Sequence, residues 1–339
     1  MKKNKIVWQL PFLVLLIVGT VVIIRHQSSI PYQHNSGMVF GTTYNITYQC
    51  DSNLHNSIIR ELEKVDEALS PFNKKSVITA VNNNHDIEVN DMFADVFLLA
   101  QKISDDTSGD FDITVAPLVN AWGFGFKNGT QPTKHNIDSL KNIIGYKKVR
   151  LEGRKVVKKD KRLMLDCSSI AKGYGSDVVA RFLQKRGVKN YMVEIGGEIV
   201  TKGISPKRVP WKIGVTRPVD DSLSVSKELQ SVINVTDKAM ATSGNYRNFY
   251  YKNGKKYAHT IDPHTGYPVQ HNILSATVIA DNCATADAYA TAFMVMGLEK
   301  AQKLLERHPE LMAYFIYSDK DGKNKTWCSE KLKKKVAEL

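Results

Sequence analysis

The chain has 339 residues, 42% of them apolar and 24% charged, which is ordinary for a protein that folds around its own core and excludes a disordered or disulfide-stapled class. The formal charge of +13 is gathered in clusters (Lys2 to Lys5, Arg154 to Arg162, Lys331 to Lys335) with no interleaved aromatics, so a nucleic-acid surface is not expected. Four cysteines, Cys50, Cys167, Cys283 and Cys328, form no C-x-x-C pair, which argues against a zinc or thioredoxin-like site and leaves small buried thiols as the expectation.

Lys2, Lys3 and Lys5 precede an apolar run from Ile6 to Ile24 that Arg25, His26 and Gln27 close. A cationic head before such a run keeps the head in the cytoplasm and exports the rest. With no small-x-small cleavage site and no lipid-accepting cysteine after it, residues 1–27 read as an uncleaved signal anchor, a cleaved signal peptide being the alternative, and 28–36 as a linker, with one domain over 37–339. The expected location is the inner membrane, facing the periplasm.

Gly41 to Gln49 alternates like a strand. Apolar residues at 58, 59, 62, 65 and 69 keep the helical period up to Ser70-Pro71. Met92 to Ile103 reads as a second amphipathic helix. Asp110 to Phe126 (DFDITVAPLVNAWGFGF) reads as a strand and then a loop exposing Trp122 and Phe124. Asn136 to Ile144 is a short helix, Lys148 to Leu165 a hairpin, and Ser168 to Lys185 a helix that starts on small residues. Tyr191 to Val200 is a strand broken at Gly196-Gly197, followed by strands at Trp211 to Thr216 and Leu229 to Val235. Ala239 to Arg247 reads as a turn, Tyr257 to Ile261 as a strand and Asp262 to Gly266 as a turn. After a strand at Ile273 to Ala280 come helices at Ala284 to Met296, closed by Gly297, and at Leu298 to Arg307. Met312 to Tyr317 is the last long strand. Strands and helices mix without regular alternation, so the expected class is α+β.

Asp287 and Thr291 stand four apart on a helix, hence on one face, where two oxygens suit a hard cation such as Mg2+. Standing alone, such an Asp more often serves the helix dipole. Ser168 to Asp177 (SSIAKGYGSD) is a small-residue helix start with Lys172 as a point charge, lacking P-loop spacing. Arg247 and His259, in TSGNYR and HTIDPHTG, suit developing phosphate charge, and His259 suits general-base work or a structural role. The WGFG segment offers aromatics for stacking on a flat ring or for plugging a loop.

These motifs stand in one order: GTTY, SPFNKKS, DFDITVAPLVNAWGFG, LDCSSIAKGYGSD, VEIGGEI, TSGNYR, HTIDPHTG and ADAYATAFMVMG. In that order the chain resembles the ApbE family of FAD:protein FMN transferases over nearly all of residues 37 to 318. The resemblance implies an ApbE-like, T-fold-related architecture. It also implies Mg2+-dependent transfer of FMN from FAD to a Thr or Ser hydroxyl of a partner, releasing AMP. Implied partners are subunits of Nqr- and Rnf-type membrane complexes and exported flavoreductases. It implies a metal site from Asp287, Thr291, the Ala171 carbonyl and Ala290. It implies cofactor contacts from Phe40, Phe72, Ala121, Trp122, Gly123, Ser168, Lys172, Tyr174 and Ile261, and catalytic roles among His259, Asp287, Lys172 and Arg247. Two departures stand out: Phe40 where the family usually has Met before the GT pair, and Cys167-Ser168-Ser169 where Leu-Gly-Gly is common. An FAD pyrophosphatase and a non-catalytic FAD-binding protein are the alternative readings.

Overall fold

The computed structural model describes residues 11–21, 30–127, 132–218, 229–245, 249–252, 255–270 and 272–338. Residues 11–21 form helix α1, with Phe12, Leu15 and Val18 exposed. Among the described residues no helix is long and apolar enough to cross a membrane, and the rest of the expected anchor lies outside them.

In chain order the other elements are β1 (Tyr32–Val39), β2 (Thr42–Gln49), α2 (His55–Leu69), α3 (Val77–Asn82), α4 (Asp91–Asp106), α5 (Ala116–Ala121) and α6 (Lys134–Lys141). Next are β3 (Val149–Glu152), β4 (Lys155–Lys158), α7 (Ala171–Lys185), β5 (Tyr191–Ile195), β6 (Glu198–Lys202), β7 (Lys212–Thr216), β8 (Leu229–Asn234) and β9 (Ala239–Gly244). The chain closes with β10 (Phe249–Lys252), β11 (Lys255–Ala258), β12 (Ile273–Ala280), α8 (Cys283–Met296), α9 (Leu298–Arg307), β13 (Met312–Ser318), β14 (Asn324–Cys328), α10 (Glu330–Lys333) and β15 (Val336–Glu338).

The α+β expectation holds. An eight-stranded antiparallel sheet runs β1-β2-β5-β6-β9-β12-β13-β14. Because strand side chains alternate between faces, neighbouring residues serve different cores. Ala239 and Ala241 of β9 point to the helical side, with α2, α7, α4 and α8, while Met240 between them joins Ile213, Ile233 and Leu332 on the other. A three-stranded sheet, β15-β8-β7, covers that second face.

Helix α8 is the centre of the helical side, with only Thr285 and Thr291 not fully buried along it. Its alanines let it approach β9 and β12 closely. Asn282 caps it by accepting from Thr285 N–H at 2.9 Å, and the Asp177 carboxylate of α7 accepts from Cys283 and Ala284 N–H at 2.8 and 2.9 Å. Burial pushes the Asp177 carboxyl up to about 6 against those two hydrogen bonds. Helix α7 crosses α8 at Gly173, where a Cβ would lie 2.4 Å from the Cys283 carbonyl oxygen.

Four local expectations are corrected. Residues 32–36 are not linker, because β1 pairs with β2 along its whole length. The turn expected over 239–247 is instead strand β9 up to Gly244, held between β6 and β12; its small residues leave room for α8. Residues 110–126 hold no strand. Asp112 accepts from Thr114 N–H at 2.7 Å and starts a tight turn, after which Pro117, tolerated in a helix's first turn, leads α5. The hairpin expected over 148–165 is confined to β3 and β4. None of the four cysteines is in a disulfide, and Cys167 and Cys283 are buried, as expected of small thiols.

Candidate active site

A cavity of about 730 Å³ opens between the start of α7, the β5–β6 turn, β9, one face of α8 and the segments around Asp110, Phe124 and His259. This is within the usual range for small-molecule sites, roughly 300–1,000 Å³.

Its floor is a charged cluster. Lys172 Nζ, on the first turn of α7, lies 2.9 Å from Glu198 Oε1 and 3.9 Å from Asp287 Oδ2. Asp287 Oδ2 also accepts from Gly173 N–H at 3.0 Å, and its Oδ1 has no hydrogen-bond partner among the described residues. Thr291 Oγ1, one helical turn on, is 3.2 Å from Ser243 Oγ of β9. Burial raises the Glu198 carboxyl to about 8 although Lys172 opposes the shift, and burial likewise raises Asp287 against Lys172 and the Gly173 amide. Burial alone would lower Lys172, but Asp287 and Glu198 outweigh it and raise it. Two buried carboxyls thus share one ammonium, and the cluster has room for one more positive charge.

That charge balance is the test of a metal. The free Oδ1 of Asp287 and the Thr291 hydroxyl are hard oxygen donors facing a cavity, as Mg2+ requires. No group of three His, Cys, Asp or Glu residues that would hold an ion alone exists among the described residues. An ion here would therefore complete its shell with carbonyl, ligand and water oxygens, which is the habit of Mg2+.

Of the residues singled out from the sequence, Phe72, Ser168, Lys172, His259, Ile261, Asp287 and Thr291 line the cavity. Ala171 begins α7 beside Lys172, half-buried. Arg247 lies outside the described residues. Phe40, Ala121, Trp122, Gly123, Tyr174 and Ala290 do not line it. Phe40 packs beneath, with its ring on Gly175, where a Cβ would come within 2.8 Å. Ala290 is fully buried within the helical core. Tyr174 turns the other way, donating its hydroxyl to Asp95 at 3.1 Å under the Arg181 guanidinium.

Trp122 corrects the expected exposed aromatic: it is 6% exposed. Its Nε1–H donates to Gly266 O at 2.9 Å, and its ring stacks on Tyr257 and leans on Tyr267. The stack continues through Tyr250 to Phe124, which does reach the cavity. The tryptophan therefore braces the wall from behind.

Sequence reasoning passed over Glu198, Asp110, Asp112 and Asp166, all on the cavity wall. Asp166 accepts from Ser168 N–H and Oγ–H at 2.8 and 2.6 Å, so the LDCSS motif carried a signal two residues before Ser168. Asp110 pairs with His264 Nε2 at 3.1 Å, joining DFD to DPHTG. Burial raises its carboxyl against the pull of Lys300 and His264.

The mixed sheet-and-helix fold with an ammonium and two carboxyls at the floor of a deep cavity defines a ligand-binding α+β protein suited to an anion and a hard cation. A model of the ApbE family matches residues 40–315, and the chain belongs to the ApbE family. It is 40% identical over 300 residues to the FAD:protein FMN transferase of Vibrio cholerae, spanning 85% of this chain and 88% of that protein. It is 33% identical over 289 residues to the FAD:protein FMN transferase of Escherichia coli K12, spanning 83% and 81%. The structure of the flavin transferase ApbE from Vibrio cholerae superposes with a TM-score of 0.81 at 37% identity, covering 90% of this chain and 99% of that one. The apo form of the Pseudomonas stutzeri flavinyl transferase ApbE gives 0.79 at 30%, covering 89% and 95%.

Proposed function

We propose that this chain is an FAD:protein FMN transferase, moving FMN from FAD to a Thr or Ser hydroxyl of a partner flavoprotein and releasing AMP. The observation that carries the reading is the Lys172–Asp287–Thr291 floor of the cavity, in a chain 40% identical to a relative of that name.

The acceptor oxygen forms a bond to the FMN phosphorus, the bond from that phosphorus to the bridging oxygen breaks, and AMP leaves with the electron pair. His259, on the cavity wall, takes the hydroxyl proton. The Lys172 ammonium faces the phosphates and balances charge that builds during transfer. Phe72 and Phe124 offer apolar surface to the flat rings. Asp287, Thr291 and the Ala171 carbonyl are the residues that would hold Mg2+. When bound, that ion supplies positive charge to the pyrophosphate oxygens.

The Lys-flanked apolar N-terminus and the exposed apolar side chains of α1 support an anchored enzyme at the inner membrane, facing the periplasm. Acceptors would then be Nqr- or Rnf-type subunits or exported flavoreductases.

The test combines the protein with FAD, MgCl2 and a partner domain carrying a Thr acceptor. A partner mass gain equal to FMN, with AMP released and both lost in EDTA, is expected. AMP and free FMN without labelling would replace the reading with a pyrophosphatase, and FAD bound but unchanged with a binding protein.

A further inference from the structure

Ser243 is the last side chain of β9 before Gly244. Strand alternation turns it to the face of Ala239 and Ala241, on which α8 packs. There its Oγ lies 3.2 Å from Thr291 Oγ1, and either oxygen can be the donor. Both side chains are half-buried and line the cavity.

A threonine within a helix often turns its hydroxyl back to the carbonyl four residues earlier. Thr291 does not do so with Asp287, and Ser243 is the only hydrogen-bond partner of its hydroxyl among the described residues. The hydroxyl is therefore held off the helix backbone, on the cavity that Asp287 and Lys172 also line. A hydroxyl has one proton and two lone pairs. An oxygen that faces a cation must give it a lone pair and send its proton elsewhere, because an O–H aimed at the ion is repelled. Among the described residues Ser243 Oγ is the acceptor placed to take that proton.

We propose that Ser243 is a positioning residue for the metal site, whose Oγ accepts a hydrogen bond from Thr291 and so turns a Thr291 lone pair towards the cation. This rests on the Mg2+-dependent reading of the site. Asp287 supplies the negative charge that attracts the ion. The Thr291 oxygen is neutral, and its hydroxyl rotates unless something holds it, so fixing its proton on Ser243 removes that freedom before the ion arrives. The proton of Ser243 itself is left to water, which can reach a half-buried group on a cavity wall. Removing a group that orients a metal ligand lowers metal affinity by about 10–100-fold.

The test is a double-mutant cycle read by Mg2+ binding instead of turnover. MgCl2 is titrated into the full chain, with and without FAD, and the rise in melting temperature gives the half-saturating concentration. Ser243→Ala should raise that concentration about tenfold, with metal-free melting close to wild type. Thr291→Val, which keeps the shape and removes the hydroxyl, should raise it at least as far. In the Thr291→Val background Ser243 has nothing left to orient, so adding Ser243→Ala should cost less than about twofold more. Ser243→Thr keeps an acceptor and should stay within about threefold of wild type; it also decides the matter if Thr291→Val no longer responds to Mg2+ at all. An unchanged Mg2+ requirement in Ser243→Ala, losses that multiply in the double variant, or Ser243→Thr as weak as Ser243→Ala would each overturn the inference and leave the transferase reading standing. Wild type that gains no stability from Mg2+ under either condition overturns the metal reading and the inference with it.

Discussion

Asp287 is the most exposed to test at the residue scale. Its Oδ2 ties α8 to the Gly173 amide, and its Oδ1 faces the cavity without a partner. Asp287→Asn keeps an oxygen for that amide and removes the charge. FMN transfer should fall at least about 100-fold, with the Mg2+-dependent rise in melting temperature lost and the circular dichroism spectrum unchanged. Full transfer by Asp287→Asn would take the metal away from this position. That Asp287 and Thr291 share one helix face was legible from their spacing, because four residues on a helix is a local relation. Glu198 was not. Its sequence, VEIGGEI, shows a glycine turn, but only the crossing of α7 over the sheet brings Lys172 to it. Trp122 misled for the opposite reason: neighbouring glycines suggested an exposed loop, while its burial is provided by Tyr257 and Tyr267, more than a hundred residues away.

At the scale of elements, the contact between α7 and α8 depends on one missing side chain. Gly173→Ala would press a Cβ against the Cys283 carbonyl, which is backbone and cannot turn aside. Denaturant unfolding should show a loss of about 1–3 kcal/mol, and a stability equal to wild type would mean that the helices can part. The far side of α8 has a separate tie. His308 Nε2 lies 3.0 Å from Asp106 and Nδ1 lies 2.8 Å from Glu310, while Tyr289 of α8 donates to Asp106 at 2.7 Å. Burial opposes the charge on His308, but the bonds to Glu310 and Asp106 outweigh it and raise the imidazole above its ordinary 6.5. A raised folded value makes this stabilisation complete below about 6.5 and lost as pH climbs through the raised value. His308→Gln should therefore lower the melting temperature more at pH 6 than at pH 9; the reverse order would place the imidazole neutral in the fold. The long helices α2, α4, α8 and α9 were readable from period and caps. Strand β9 was not, since Ala-Met-Ala-Thr-Ser-Gly carries a turn's composition and is a strand only because β6 and β12 flank it.

On the scale of the whole molecule, sheet and helices form one mixed body with the cavity where α7, α8, β9 and β7 come together, and the basic N-terminus precedes it in sequence. If that segment anchors the enzyme, cells expressing the full chain should hold it in the membrane fraction after alkaline extraction. A version starting near residue 30 should be released and still label its partner; full-length protein washed off by alkali would refute the anchor. The family was readable from motif order, because motifs that lie far apart in the chain, such as LDCSSIAKG and ADAYATAF, meet in space at Gly173 and Asp287.

The absent side chain at Gly173 also bears on how a nucleotide gets in and out. One wall of the cavity is built from two helices in backbone contact, one capped by the other's Asp177. A wall so joined has no slack, and it presents the charged floor at a fixed height. Phe72, Phe124 and the segment around His259 line the cavity elsewhere, with Phe124 resting on the stacked rings of Tyr250 and Tyr257. Were the site to widen for AMP to leave, the ring contacts of Phe124 and Tyr250 would give way before the backbone contact at Gly173.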